Sequence, residues 1–384
     1  MMTTSTSTRS NIKGIVLSDI HFGHSNTPTE HIIRNIEKLV NKPELLKEID
    51  IIWFSGDVFD HGLDFNDPNI YRILAWFKAL AALAKEYDVI IEFLYGTPSH
   101  DKRQSAFFEF VNNLFDIGAN VTYVSELSII YNEKLKIHVL YIPDRARSNS
   151  SITWRDVCRL LEDRKLKQVD FAITHGFFDF QLPELALSST DHHLSEAYSK
   201  IVKYAIFNGH DHTPKHSLNI WVPGSLDRLR HGEEEDKGML FFETMGDGID
   251  VKFIKNYGAM KFITLRFDNN ETVEDVIEYI DAKVNNDPMA FVRIVAPRES
   301  LTFHIGEQLE KVYPRYRITF EEPDREKEKS IGAIATIAEN ANALSAISLT
   351  KNNLRDELLS MVDEVKPEIT PLAKFLLNEV LHDE

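Results

Sequence analysis

The 384-residue chain has a single cysteine, Cys158. One thiol excludes an intramolecular disulfide framework and any Cys-rich zinc module, and it fits a reducing, cytoplasmic setting. No stretch reaches 18 uninterrupted apolar residues, so no membrane span is expected. The first ten residues are Ser/Thr-rich and lack an apolar core; residues 1–12 read as a disordered lead-in, not a signal peptide. Basic side chains are outnumbered, with 43 Lys+Arg against 60 Asp+Glu and a formal charge of −17. That balance excludes coating nucleic acid by bulk electrostatics, but not an enzyme that draws such a substrate in through metal ions. The acidity is denser toward the end, where residues 260–384 carry 15 basic and 24 acidic groups. No internal repeat is evident.

What is present is an alternation of strand-like and helix-like runs. Residues 14–18, 51–54 and 89–94 are short apolar runs of the kind that form buried central strands. Residues 30–47 and 69–87 between them carry apolar side chains at helical spacing. Further strand candidates lie at 137–142, 171–174, 204–207, 218–222 and 239–242, with a helix candidate at 152–164. The rhythm predicts a layered α/β sandwich over residues 13–258. A small α/β module follows over 259–321, with strands at 262–267, 290–295 and 316–320 and helices at 272–284 and 301–312. A charge run beginning at Glu321 opens a solvated linker over 322–342. Two helices are expected over 343–384. Leu354, Leu358, Met361 and Val365 share one face of the first; Thr370 caps the second, with Pro371 at its first position. Docking on a partner and packing back on the chain's own core are equally compatible with that pattern.

The chemistry lies where the runs end. Asp19 and His21 follow the first run, and Gly56 and Asp57 the second. Gly96-Thr97-Pro98-Ser99-His100-Asp101 follows the third. Thr174-His175-Gly176 and Gly209-His210-Asp211-His212 close two later runs. A ligand-type side chain thus sits at the carboxyl end of five apolar runs, which is where open α/β sheets place their sites. One Asp after a strand is ordinarily a turn residue. Five clusters in register with five strands point instead to a dinuclear metal site. A shared carboxylate with several imidazoles suits manganese, iron or zinc better than calcium.

The order D-x-H, G-D-x-x-D, H-D after a glycine loop, strand-end His and G-H-x-H resembles the calcineurin-like metallophosphoesterases. The stretches SDIHFGH, GDVFDHG and VPGSLDRLRHGEEEDKGMLFFE more narrowly resemble SbcD and its eukaryotic and phage counterparts, nuclease subunits of the DNA double-strand-break repair complex. The likeness spans residues 13–320. It implies an α/β/β/α metallophosphoesterase sandwich, a small α/β cap domain, and C-terminal helices that bind an SbcC-like coiled-coil ATPase. It also implies a homodimer acting on DNA in the cytoplasm (a host cell's, if viral), dimerising through helices near 30–47 and 69–87. Two divalent ions are implied, manganese first, with magnesium, iron or zinc as alternatives. Asp19, His21, Asp57 and His212 would hold one ion. Asp57 would bridge to the second, together with His175 and His210. His100, paired with Asp101, would be the general acid or transition-state stabiliser.

One motif departs from the family. Its third motif reads G-N-H-[DE], whose Asn carboxamide oxygen reaches the second metal; here the loop is two residues longer and carries no Asn. Ser99, or in second place Thr97, is expected to supply a hydroxyl oxygen instead; a nearby carboxylate or water is the other way to complete the shell. Lys102, Arg103, Arg145 and Arg228, with Arg147 and Arg230, adjoin the motifs and are candidates for phosphate contact, although each alone reads as a surface charge. Asp60 either orients a ligand histidine or starts a helix. His24 either contacts substrate or, as is more usual, is a solvated loop residue; His61, His192 and His193 have no spacing that argues for a role. Two other functions share these residues: a phosphatase or small-molecule phosphodiesterase, and a non-catalytic scaffold supported only by the altered third motif.

Overall fold

Alternation along the strands decides the layering. On β1 (Lys13–Leu17), Ile15 and Leu17 point one way and Val16 the other. On β2 (Ile51–Phe54), Ile52 and Phe54 oppose Ile51 and Trp53. On β3 (Ile90–Leu94), Ile91 and Phe93 oppose Ile90 and Leu94. Both faces are apolar, so this sheet is covered on both sides. One face packs on α1 (Thr29–Leu39), α3 (Pro68–Glu86) and α5 (Ala106–Leu114). The other meets β6 (Ile137–Ile142), β7 (Val169–His175) and β8 (Val202–Gly209) of a second sheet. That sheet's outer face buries Leu140, Ala172 and Ile206 against α6 (Ser150–Asp163) and α7 (Ser195–Ser199). The result is the α/β/β/α sandwich expected from the sequence.

The computed structural model describes residues 11–267, 271–284, 290–297 and 317–321. Residues 1–10, the helix expected at 301–312, the linker and the C-terminal helices lie outside them. The chain divides after Glu321 into units of residues 1–321 and 322–384.

The remaining strands of the first unit are β4 (Asn120–Val124), β5 (Ser128–Asn132), β9 (Lys215–Ser217), β10 (Ile220–Val222), β11 (Gly238–Met245) and β12 (Gly248–Lys255). The first sheet has the order β12-β11-β1-β2-β3-β4 and the second β5-β6-β7-β8-β10-β9. β1, β2 and β3 run parallel, as do β6, β7 and β8, so each set delivers its carboxyl ends to one edge. The helix expected over 30–47 breaks in two: α1 ends at Leu39, and α2 (Pro43–Leu46) restarts at Pro43, which lacks the amide a continuing helix needs. α3 begins where the Asp67 carboxylate accepts from Asn69 N at 2.8 Å, with Pro68 at its first position.

Trp53 fills the space between the sheets, stacked on Phe242 at 5.3 Å and fully buried. Removing such a ring costs about 3–5 kcal/mol. Strand parity also puts Glu92 in this apolar layer. It is tolerated because its carboxyl accepts from Trp53 Nε1 at 2.6 Å and from the Tyr141 hydroxyl. Burial raises its pKa, more than those two donors lower it.

A third sheet, β13 (Phe262–Arg266), β14 (Phe291–Val295) and β15 (Arg317–Glu321), is parallel throughout and carries α8 (Val273–Val284) on a core of its own. The chain enters it past a buried node. Asp227 accepts from Met260 N and from Asn35 Nδ2, each at 2.6 Å.

Candidate metal centre

The strand-end loops are laced together before any side chain is considered. Asp19 N donates to Gly56 O at 3.2 Å, His21 N to Asp57 O at 3.1 Å and Phe22 N to Val58 O at 2.9 Å. The turns are tight enough to force left-handed backbone at Asp19 (φ 50°), His21 (φ 54°), Asp57 (φ 48°) and His210 (φ 90°). Such conformations cost about 1–3 kcal/mol each and persist only where the surroundings impose them, typically at functional sites. Two glycines make the crowding possible. A Cβ on Gly96 would overlap the Asp57 backbone and carboxylate, and one on Gly56, itself at φ 95°, would overlap the His175 ring.

The first cluster is Asp19, His21 and His212. Asp19 is fully buried; its Oδ2 accepts from Ser18 Oγ at 2.5 Å and from His210 N at 3.1 Å. Its Oδ1 has no partner among the described residues and lies 3.9 Å from Nε2 of both His21 and His212. The two Nε2 atoms are 3.2 Å apart. Their other nitrogens face carboxylates: His212 Nδ1 is 3.0 Å from Glu233 Oε1, and His21 Nδ1 is 3.3 Å from Asp60 Oδ1. Glu233 places the His212 proton on Nδ1 and leaves a lone pair on Nε2; the nearby Asp60 carboxylate favours the same tautomer at His21, whose Nδ1 has no hydrogen-bond partner among the described residues. One anionic oxygen and two lone pairs thus converge with no donor between them, an arrangement that a divalent cation satisfies.

The second cluster is Asp57, His175 and His210. His175 Nδ1 donates to Ser55 O at 2.7 Å, which aims Nε2 at Asp57 Oδ2, 3.2 Å away. Burial alone would suppress the His175 cation; the Asp57 carboxylate overcomes it and lifts the pKa of the metal-free imidazole to about 10. Burial likewise opposes the Asp57 charge, yet His175 holds that carboxyl well below its usual range. His210, by contrast, is lowered by burial and by the neighbouring His175.

Thr97, not Ser99, completes this cluster. Thr97 Oγ1 donates to Asp57 Oδ2 at 3.0 Å and lies 3.3 Å from His175 Nε2 and 3.2 Å from His210 Nδ1. Its amide also donates to Asp57 Oδ1 at 2.5 Å. Ser99 is exposed, one residue inside α4 (Pro98–Asp101). The signal was Pro98: a proline at the first helical position makes Thr97 the last residue before the helix, on the loop that faces Asp57. The donor sets of the two clusters, imidazole with carboxylate plus one hydroxyl, suit divalent metal ions.

His100 stands beside the first cluster, its ring centroid 5.2 Å from that of His21 and its Nδ1 donating to Asp60 O at 2.7 Å. Asp101 does not pair with it. Asp101 is fully buried, accepting from Gly96 N at 3.0 Å and Ser105 Oγ at 2.8 Å, and burial pushes its pKa up to about 6. It shapes the loop instead. Against the cost of partial burial, His21 and His61 hold the Asp60 carboxyl down to about 2.

The basic candidates separate. Arg228 is committed to structure, donating to the carbonyls of Met260 at 3.3 Å and Glu235 at 2.8 Å. Arg103 pairs with Glu126 at 3.4 Å, and Lys102 lies against Gly62. Arg147 is tied to Asp156 at 2.6 Å. Arg145 lines a cleft of about 650 Å³ with Thr97, Phe177, His192, His193 and His210. Arg230 lines a second, of about 440 Å³, that shares Phe177 and His210 and also borders His212. His192 and His193, for which the sequence spacing argues no role, line the first cleft.

Calcineurin-like phosphoesterase is the family model that matches, over residues 12–214, more than half of the chain. The chain belongs to the calcineurin-like phosphoesterase family. It is a metal-dependent hydrolase of phosphoester bonds by that membership, and its His/Asp clusters, which also include His21 with Asp60 and His100, are candidates for holding the ions. Solved structures similar to this phosphoesterase include TT1561 of Thermus thermophilus, 10% identical, covering 63% of this chain and 98% of that one, with a TM-score of 0.39. Another is GAP50, the anchor in the inner membrane complex of Plasmodium, 14% identical, covering 64% and 85%, with a TM-score of 0.38. No curated protein matches the chain. No described helix is long and apolar enough to cross a membrane.

Proposed function

We propose that this phosphoesterase is the DNA-cleaving subunit of an SbcCD-like repair or recombination complex. The observation that carries the reading is the pair of clefts meeting over Phe177 and His210, with Arg145 on one side and Arg230 on the other. A phosphomonoester needs room on one side of the phosphorus; a phosphodiester within a polymer needs it on both. The small parallel α/β module beside the sandwich and the sequence after G-H-D-H support the same reading.

Asp19, His21, His212 and Asp57 would hold one divalent ion, and Asp57, Thr97, His175 and His210 the other; manganese is the ion proposed. When bound, such a pair lowers the pKa of a water and neutralises charge on the attacking and leaving oxygens. The chain's own groups do the rest. His100, with Nδ1–H committed to Asp60 O, leaves Nε2 as the ring atom through which its charged form would donate a proton to the leaving oxygen. Arg145 and Arg230 meet the phosphates on either side. Phe177, edge-on to His210 at 4.5 Å, walls the point where the clefts join.

The ATPase partner is assigned to the helices expected at 343–384. A homodimer is assigned to the face around α5, where Phe65, Phe110, Leu114 and Phe115 lie exposed.

The test is hydrolysis of linear duplex DNA with manganese, with and without chelator, alone and with the product of an adjacent ATPase gene. Chelator-sensitive cleavage is expected. Rapid hydrolysis of p-nitrophenyl phosphate with no DNA cleavage would assign the chain to the other phosphoesterases. Undiminished DNA processing by His100→Asn would make it a scaffold.

A further inference from the structure

We propose that Glu233 and Lys237, which lie outside the strand-end motifs, are positioning residues that aim His212 at the first metal ion. The inference rests on reading Asp19, His21 and His212 as ligands of one ion.

The four histidines of the two clusters are steadied differently. His175 is fixed by a backbone carbonyl, and His21 and His210 face groups within the motif loops. His212, like His210, is a half-exposed ligand candidate; its side chain is 25% exposed, and its ring is held from outside the strand-end loops. Glu233 Oε1 takes Nδ1 at 3.0 Å. The other carboxylate oxygen is held in turn by Leu229 N at 3.0 Å and by the Lys237 ammonium at 3.2 Å. Lys237 is fully buried, and its ammonium also donates to the His212 carbonyl at 2.8 Å. The loop is therefore closed on both ends of one residue: Glu233 grips the ring of His212, Lys237 grips its backbone, and the two grip each other. A buried lysine is costly to keep unless both its charge and its donors are used. Here the ammonium pairs with the Glu233 carboxylate at 3.2 Å, and one of its donors fixes the carbonyl of the candidate ligand. An imidazole whose proton is pinned to Nδ1 presents its lone pair at Nε2, and loss of such a partner weakens metal binding by about 10–100-fold.

The experiment is a manganese titration of the full chain by calorimetry, with electron paramagnetic resonance of the same samples, on the wild type, Glu233→Gln and Lys237→Gln. The wild type should bind two ions and give a spin-coupled signal. Glu233→Gln should lose about 10–100-fold in affinity for one ion and keep the other. Its spin-coupled signal should vanish at manganese concentrations that saturate the wild type. Lys237→Gln keeps a donor for the carbonyl while removing the charge, and should weaken the same ion by a smaller factor. Folded Glu233→Gln with both affinities unchanged overturns the proposal. Should that variant fail to fold, unchanged affinities in Lys237→Gln overturn it. A wild type that binds no manganese removes the ligand reading itself, an outcome distinct from either.

Discussion

Replacing Thr97 by valine removes one oxygen and nothing else of the side chain's shape. That oxygen lies 3.0 Å from Asp57 Oδ2, 3.3 Å from His175 Nε2 and 3.2 Å from His210 Nδ1. Thr97 itself is buried, so water does not readily take the hydroxyl's place. A hydrogen bond to a charged group contributes about 1.5–3 kcal/mol. At about 1.4 kcal/mol per decade, Thr97→Val should weaken the second ion by about 10–100-fold and leave the first unchanged. Thr97→Ser should retain most of the affinity, and Thr97→Asn, which supplies the family's carboxamide, should match or exceed it. Manganese titration measures the two affinities, and activity as a function of manganese concentration should shift in parallel. The reasoning is refuted if Thr97→Val binds both ions as the wild type does while Ser99→Ala, altering an exposed hydroxyl, loses one.

Other consequences follow from the same geometry. His100→Asn should keep both ions but lose about 10²–10⁴-fold in turnover, read by steady-state hydrolysis beside a manganese titration. Gly96→Ala drives a methyl into the Asp57 backbone and should lower both thermal stability and metal occupancy, read by calorimetric melting and elemental analysis. The metal-free His175 has its pKa raised to about 10, above its ordinary 6.5. Its contribution to stability is therefore complete below about pH 6.5 and lost as pH rises through about 10. Manganese needs the neutral ring, so binding at pH 8 should release a proton, measured by calorimetry in buffers of different ionisation enthalpy. Phe110→Asp should leave α5 folded and convert a dimer to monomer in light scattering, because this ring is 55% exposed on the face assigned to the partner copy.

The sandwich was readable because its central strands are apolar on both faces and its helices amphipathic on one. β1, β2, β3 and α3 fall where the runs at 14–18, 51–54, 89–94 and 69–87 place them. β4, β5 and β12 were not foreseen. Their residues are half-exposed at or near sheet edges, as in the Gly248–Lys255 strand, where exposed and half-buried positions give no continuous apolar run. The ligand candidates were readable because catalytic residues on parallel strands must sit at carboxyl ends. The third motif was not, since residue type alone ranks Ser99 with Thr97; only the start of α4 at Pro98 separates them. Asp101 also escaped, because the resemblance implied a pair with His100 where the two side chains take different partners. Glu233 and Lys237 lie within the stretch VPGSLDRLRHGEEEDKGMLFFE that carries the resemblance, but nothing in its spelling links them to His212.

Two ions are proposed at the joined strand ends, with Asp57 between them. Anomalous diffraction at the manganese edge, on crystals grown with manganese, tests that placement directly. Two peaks are expected: one bounded by Asp19, His21 and His212, the other by Asp57, Thr97, His175 and His210, with Asp57 oxygens reaching both. A single peak, or a second peak bound by Ser99 and not by Thr97, would contradict it.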